Sequence, residues 1–231
     1  YITTILERDI RDIARVEGLA DIPRLLGMIA SRAGGLLNIS DISRTVGIPF
    51  ATLYRYLALL EATFLVVRIP GWATNTRKRS VRAPRLFVSD SGLAAYLAGW
   101  SPSGAASDST AGPILENFVV MELVKQAARR TEFAIFHFRT PGGAEVDIVI
   151  EDRRRAIVGV EVKARSTIRA TDFNGLRVLR DLAGPRFRRG IVLYTGRQSV
   201  PFGPDLVALP ISSLWRLGSS MVPNSPSKKI R

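Results

Sequence analysis

Cysteine is absent from the 231 residues, and histidine occurs once. The first absence excludes a disulfide framework and any zinc site built on thiolates. The second leaves Ser-His-Asp catalysis and multi-histidine metal centres without material. A metal ion bound here has to sit on carboxylates and backbone oxygens, the hard donors that suit Mg²⁺ or Mn²⁺. No run of about 18 apolar residues occurs and no signal peptide heads the sequence, so no membrane partner and a cytoplasmic location are expected. Acidic residues are also few: 20 Asp and Glu stand against 33 Lys and Arg, a formal charge of +13. Such an excess favours a polyanionic partner, nucleic acid and most simply DNA, because Lys and Arg neutralise phosphates and release counterions.

What is present is enough for real cores, with 46% apolar residues over a length that suits two small domains or one large one. The chain opens at Tyr1 in helix-like sequence without a Met and reads as a piece of something longer. Helical spacing covers residues 1–20, and Pro23 opens a second helix running to about Ala33. Ser40 is expected to cap a short helix, Asp41–Val46; Gly47 makes a turn, and Pro49 precedes a helix over Phe50–Glu61. A strand over Phe64–Ile69 follows, then a basic segment, RKRSVRAPR, before a strand at Leu86–Val88 and a helix over Ser89–Leu97.

This order predicts a winged helix-turn-helix, with the wing at about residues 70–85. Arg77, Lys78, Arg79, Arg82 and Arg85 are expected to lie along a phosphate backbone, with Arg55 on the recognition helix. That helix offers only Thr52, Tyr54, Arg55 and Tyr56 as base-reading groups, which argues against sharp sequence preference and hence against a plain transcriptional regulator. A module that merely docks protein is the competing reading.

The Gly-, Ser- and Ala-rich stretch GWSPSGAASDSTAGP marks a boundary. The predicted organisation is a helical segment plus winged helix-turn-helix over 1–99, a linker over 100–113, a second domain over 114–217 and a disordered basic tail over 218–231. The second domain reads as helix Ile114–Arg130, strands Phe133–Arg139, Ala144–Ile150 and Ala156–Ala164, helix Phe173–Leu182 and a buried strand Gly190–Thr195. The fold class is thus α/β in the α+β sense, with a mixed sheet flanked by helices.

Four residues there carry chemistry. Glu116 stands in an apolar helical stripe with Val119, Val120 and Leu123, where a carboxylate needs compensation unless it merely serves the helix N-terminus. GGAEVDIVIEDRRRAIVGVEVKA reads as a hairpin. With its turn centred on Arg153, Glu145 pairs with Glu161 and Asp147 with Gly159. Asp147, Glu161 and Lys163 then share a face, and Gly159 leaves space for a divalent cation between the acids. Glu161 and Lys163, two apart on one strand, would place a metal ligand and an ammonium side by side, near a metal-activated water. Glu145 is a further ligand or an edge charge, Arg139 a candidate phosphate clamp, and His137 a structural sheet residue.

Glu116, Asp147 and Glu161-Val162-Lys163 together resemble the PD-(D/E)xK nucleases, the restriction-endonuclease-like fold, although Val146 stands where that pattern has Pro. The resemblance implies Glu116, Asp147, Glu161 and Lys163 as catalytic residues, the three acids as Mg²⁺ or Mn²⁺ ligands. The successive stretches LLNISDISRTVGIPFATLYRYLALLEATFLVVRI, APRLFVSDSGL, LENFVVMEL, FHFRTPGGAEVDIVIE, GVEVKA, GIVLYTG and LPISSLW also resemble, from Tyr1 to about Trp215, the C-terminal domain of unknown function carried by prokaryotic AAA-type, archaeal-ATPase-like P-loop ATPases. That resemblance implies an upstream ATPase module on the same polypeptide. ATP is expected only through that module, because this sequence has no GxxxxGK loop. A catalytically silent module coupling the ATPase to DNA or to a protein is the alternative, and a homo-oligomer stays open.

Overall fold

The computed structural model describes residues 21–75, 79, 82–100, 111–129 and 131–215. The expected first helix over 1–20, the cations Arg77 and Lys78 and the tail from 218 fall outside the described residues, as does most of the 100–113 linker.

Helix α1 spans Asp21–Ser31, and its buried Ile22, Leu25, Leu26 and Ile29 follow the three- and four-residue spacing of one helical face. Helix α2 begins at Ile39, two residues before the predicted start. Asn38, not Ser40, is the cap: its backbone is extended and its side chain accepts from the Asp41 N–H at 3.1 Å. The earlier start places Ile39 on the face that Ile42 and Val46 bury. Helix α3, Phe50–Ala62, buries Leu53, Tyr56, Leu57 and Leu60 and leaves Phe50, Tyr54 and Arg55 exposed. Tyr56, counted among the base-reading groups, is therefore a core residue. Strand β1 is Val66–Ile69, shorter than predicted because Phe64 turns at φ 55° and stands 80% exposed.

Strand β2, Arg85–Val88, runs antiparallel to β1. On its other edge it meets residues 34–37, with the Gly34 N–H on the Leu86 carbonyl at 3.0 Å and the Leu37 N–H on the Pro84 carbonyl at 2.7 Å. Asp90 caps α4, Ser91–Leu97, through the Leu93 N–H.

Helix α5 runs Ala111–Ala128, starting three residues before the predicted Ile114. Glu116 therefore lies beyond the first turn. The six-stranded sheet takes β3 (Phe133–Arg139), β4 (Glu145–Asp152), β5 (Ile157–Lys163), β6 (Phe187–Tyr194), β7 (Val200–Pro201) and β8 (Leu206–Pro210) in the order β3-β4-β5-β6-β8-β7. β3, β4 and β5 form an antiparallel meander; β5, β6 and β8 are parallel. Helix α6, Asn174–Ala183, makes the crossover from β5 to β6. The mixed sheet is as expected, while β7 and β8 went unpredicted.

One face of the sheet packs Val149, Ile157, Val192 and Ala208 beneath Leu176 and Leu179 of α6. The other packs Ile148, Val160, Val162 and Leu193 against Val119, Val120 and Leu123 of α5, and this cluster also takes in Ile69 of β1 and Phe87 of β2. The two halves of the chain thus share a core. Two further main-chain bonds join them: the His137 N–H reaches the Pro70 carbonyl at 3.0 Å, and the Trp72 N–H reaches the His137 carbonyl at 2.6 Å.

Candidate carboxylate site

The hairpin that carries the acids is registered two residues away from its sequence reading. Val149, not Asp147, faces Gly159, and the ladder continues to Ile148 opposite Val160. Gly159 makes no room for a cation. A Cβ there would come within 2.6 Å of Leu176 and 2.9 Å of Leu179, so the glycine lets α6 lie against the sheet.

A second departure lies on the other edge of β4. Phe136 pairs with Val149 and Phe138 with Val146, so one residue of β3, His137, stands opposite two of β4, Asp147 and Ile148. This bulge breaks the alternation. Val146 and Val149 pack under α6 whereas Ile148 packs under α5. Asp147 sits inside the bulge, a device that re-aims a side chain next to a site. It is 8% exposed, and its Oδ2 accepts from the Val162 N–H of β5 at 2.9 Å.

Five elements then meet. Glu116 comes from α5, Glu145 and Asp147 from β4, Glu161 and Lys163 from β5, Arg85 from β2, and Gly34 from the segment after α1. Arg85 is the hub. Its Nη1 donates to Glu116 Oε1 at 2.8 Å and to Asp147 Oδ1 at 3.3 Å, and its Nη2 donates to Glu145 Oε2 at 2.8 Å. Its side chain is 6% exposed, and its Nε has no hydrogen-bond partner. Lys163 Nζ donates to Glu161 Oε1 at 2.7 Å, while the buried Glu161 Oε2 has no partner.

So many acids in one buried place disfavour ionisation. Burial, and then the neighbouring Asp147 charge, push Glu116 up to about 8 despite Arg85. The same two causes raise Glu161 to about 7, against the pull of Lys163. Burial works against the charge on Arg85, but Glu116, Asp147 and Glu145 outweigh it and hold the guanidinium above its ordinary value. Lys163 is raised likewise: burial opposes its charge and Glu161 overrides it.

The hard oxygen donors, with one buried carboxylate oxygen unsatisfied, have the chemistry a divalent ion requires. The arrangement is another matter. Among the described residues no three His, Asp or Glu side chains converge closely enough to hold a metal ion, and Arg85 is bonded to Glu116 and Asp147.

The remaining predicted site residues divide. Arg85 and Arg79 are not spread along a surface. Arg79 grips Glu151 with two nitrogens, at 3.1 and 2.7 Å, and its guanidinium lies 4.7 Å from the Phe136 ring centroid. Trp72 donates to the same Glu151 at 2.8 Å. Arg82 donates to the Arg139 carbonyl, and Arg139 pairs with Glu145 at 3.0 Å while staying 46% exposed. Arg55 is exposed, about α3. His137 is buried, donates from Nε2 to the Ala83 carbonyl at 3.0 Å and has no partner on Nδ1. Burial and then Arg85 lower it to about 4, so it stays neutral.

Sequence reasoning missed Asn117. Fully buried, it accepts from the Val88 N–H at 3.0 Å and donates to the Val88 carbonyl at 2.9 Å, tying α5 to β2. An amide amid the apolar run LENFVV was the available signal.

Two family profiles match the chain: Domain of unknown function (DUF8612) over residues 1–104, and Domain of unknown function (DUF4143) over residues 111–214. Neither covers half of it. Among curated proteins, the "Uncharacterized protein Mb2031c" of Mycobacterium bovis and the "Uncharacterized protein Rv2008c" of Mycobacterium tuberculosis are each 29% identical over 95% of this chain. The chain spans 48% of the length of each, about half of those relatives. No solved structure matches it. No helix among the described residues is long and apolar enough to cross a membrane.

Proposed function

We propose that this chain is the nucleic-acid-binding, C-terminal part of an AAA-type ATPase, a winged helix-turn-helix joined to a restriction-endonuclease-like domain with a Mg²⁺- or Mn²⁺-dependent phosphodiesterase site. The observation that carries the reading is that Asp147, aimed toward β5 by the bulge in β4, and the Glu161–Lys163 pair lie within electrostatic reach of Glu116 on α5, although the three carboxylates do not close around a single point while Arg85 lies among them. Asp147 and Glu161 would hold the metal, with Glu116 as a third ligand. A bound divalent ion would supply Lewis acidity toward a phosphoryl oxygen and acidify its water. Lys163, fixed by Glu161, is the ammonium placed to stabilise negative charge next to it. The net charge of +13, the exposed Arg55 and the half-exposed Arg139 support a nucleic-acid partner.

A second reading rests on Arg85. A guanidinium bonded to three of the acids also describes a nuclease fold whose site has become a structural ion-pair network, leaving a module that couples the ATPase to DNA or to a protein. The test is incubation of the intact protein with supercoiled plasmid, single-stranded DNA and RNA at saturating Mg²⁺ or Mn²⁺, beside the Asp147→Asn/Glu161→Gln variant. Cleavage by the wild type alone upholds the phosphodiesterase. Equal inactivity of both, with DNA binding retained, upholds the coupling module.

A further inference from the structure

We infer that Arg85 is the resident counter-ion of the carboxylate cleft and that a divalent cation enters only when the Arg85 guanidinium leaves, an inference that rests on reading the cleft as a metal site. Arg85 belongs to the first half of the chain, yet its charged group lies among acids of the second. It contacts Glu116, Glu145 and Asp147. Two of these are acids that a metal would need. A unit charge and a divalent ion a few ångströms apart in so buried a place repel strongly, so the two occupants exclude one another.

The guanidinium is held tightly but imperfectly. Its side chain is 94% buried by difference from a 6% exposure, and Nε donates to nothing. A guanidinium has five N–H donors, and one left unmade in a buried place raises the cost of staying there. Its position in the strand makes departure feasible. Arg85 is the first residue of β2, and the preceding Arg82, Ala83 and Pro84 lie at or near the surface. Arg85 is paired with Ile69 on one side and Leu36 on the other, so moving this strand end would break those pairings together with the Leu37 N–H to the Pro84 carbonyl and the His137 Nε2 to the Ala83 carbonyl, while a swing of the side chain alone would leave them in place. Where the strand end moves, the cation state of the cleft is linked to the placement of β2, and through β2 to the helices of the first half.

The experiment titrates Mn²⁺ into the intact protein, its Arg85→Leu variant and its Arg85→Lys variant, reading heat of binding and the thermal midpoint. If the open cleft is populated to about 10% or less in the wild type, Arg85→Leu binds Mn²⁺ about tenfold tighter or more. Its midpoint then rises more with added Mn²⁺ than that of the wild type. Arg85→Lys, whose single ammonium cannot span three carboxylates, falls between the two and serves alone if the leucine variant does not fold. Adding Glu161→Gln to either variant abolishes the gain. Equal Mn²⁺ affinity in wild type and variants overturns the exclusion by Arg85 and leaves the metal site standing. No binding in any folded variant overturns both.

Discussion

Arg85 Nη1 lies 2.8 Å from Glu116 Oε1, and this contact joins strand β2 of the first half of the chain to helix α5 of the second. Arg85 is buried and Glu116 partly so, and Asn117 clamps the same two elements three residues further along β2 at Val88. Arg85→Leu leaves a set of buried acids without their main cation. The loss of one partner from a buried ion pair costs about 3–5 kcal/mol. Urea unfolding at pH 9, above the titration of Glu116, should show a loss of that order, partly recovered when Glu116→Gln is added. Additive losses would mean that the two side chains do not act together.

Stability should fall as pH rises from about 5 to 8. Glu116 and Glu161 are raised in the folded protein to about 8 and about 7, whereas the unfolded chain titrates them near 4.5. Across that window the folded state holds more protons, so each step up in pH favours unfolding, and below it the effect is absent. Glu116→Gln cannot titrate and should flatten the profile. Denaturation midpoints at pH 5, 6.5 and 8 measure this, and an unchanged slope in the variant would assign the titration elsewhere.

Gly34 stands at φ +78°, and a Cβ there would approach Glu116 Oε1 to 2.7 Å. Gly34→Ala therefore combines backbone strain with a displaced carboxylate. We expect a loss above about 1 kcal/mol, more than the general cost of a left-handed alanine alone. Thermal unfolding measures it. A neutral result would show that the Glu116 side chain yields freely.

Lys163→Met removes the ammonium beside Glu161 without removing an acid. Cleavage of plasmid should drop by about 10²-fold or more while Mn²⁺ affinity changes little, because the charge is needed mainly where negative charge develops. A parallel loss of metal affinity would instead mark Lys163 as a support for the Glu161 geometry.

Much of this was legible in the residues. Period-two alternation located β3, β4 and β5, and the short distance from Glu161 to Lys163 along a strand made their pairing predictable. From Ile148 onward the faces survived a wrong register at Gly159, because a slip of two residues preserves them, whereas at Val146 the bulge overrides the alternation. Three features were not legible. The bulge at Asp147 depends on how β3 and β4 pair, which a single strand pattern does not encode. The strand β8 hides in PFGPDLVALP, where prolines and a glycine mask five residues of alternating burial. Arg85 looked like one more cation of a basic wing, RKRSVRAPR, because its partners are distant in sequence: Glu116, Glu145 and Asp147 lie 31, 60 and 62 residues away.

Manganese located by anomalous scattering in crystals of the intact protein tests the central claim most directly. The expected result is a peak bonded to the carboxylates of Asp147 and Glu161, with the Arg85 side chain moved away from Glu116. A cleft without manganese at saturating concentration, with Arg85 still bonded to Glu116, Glu145 and Asp147, would contradict a metal-dependent site.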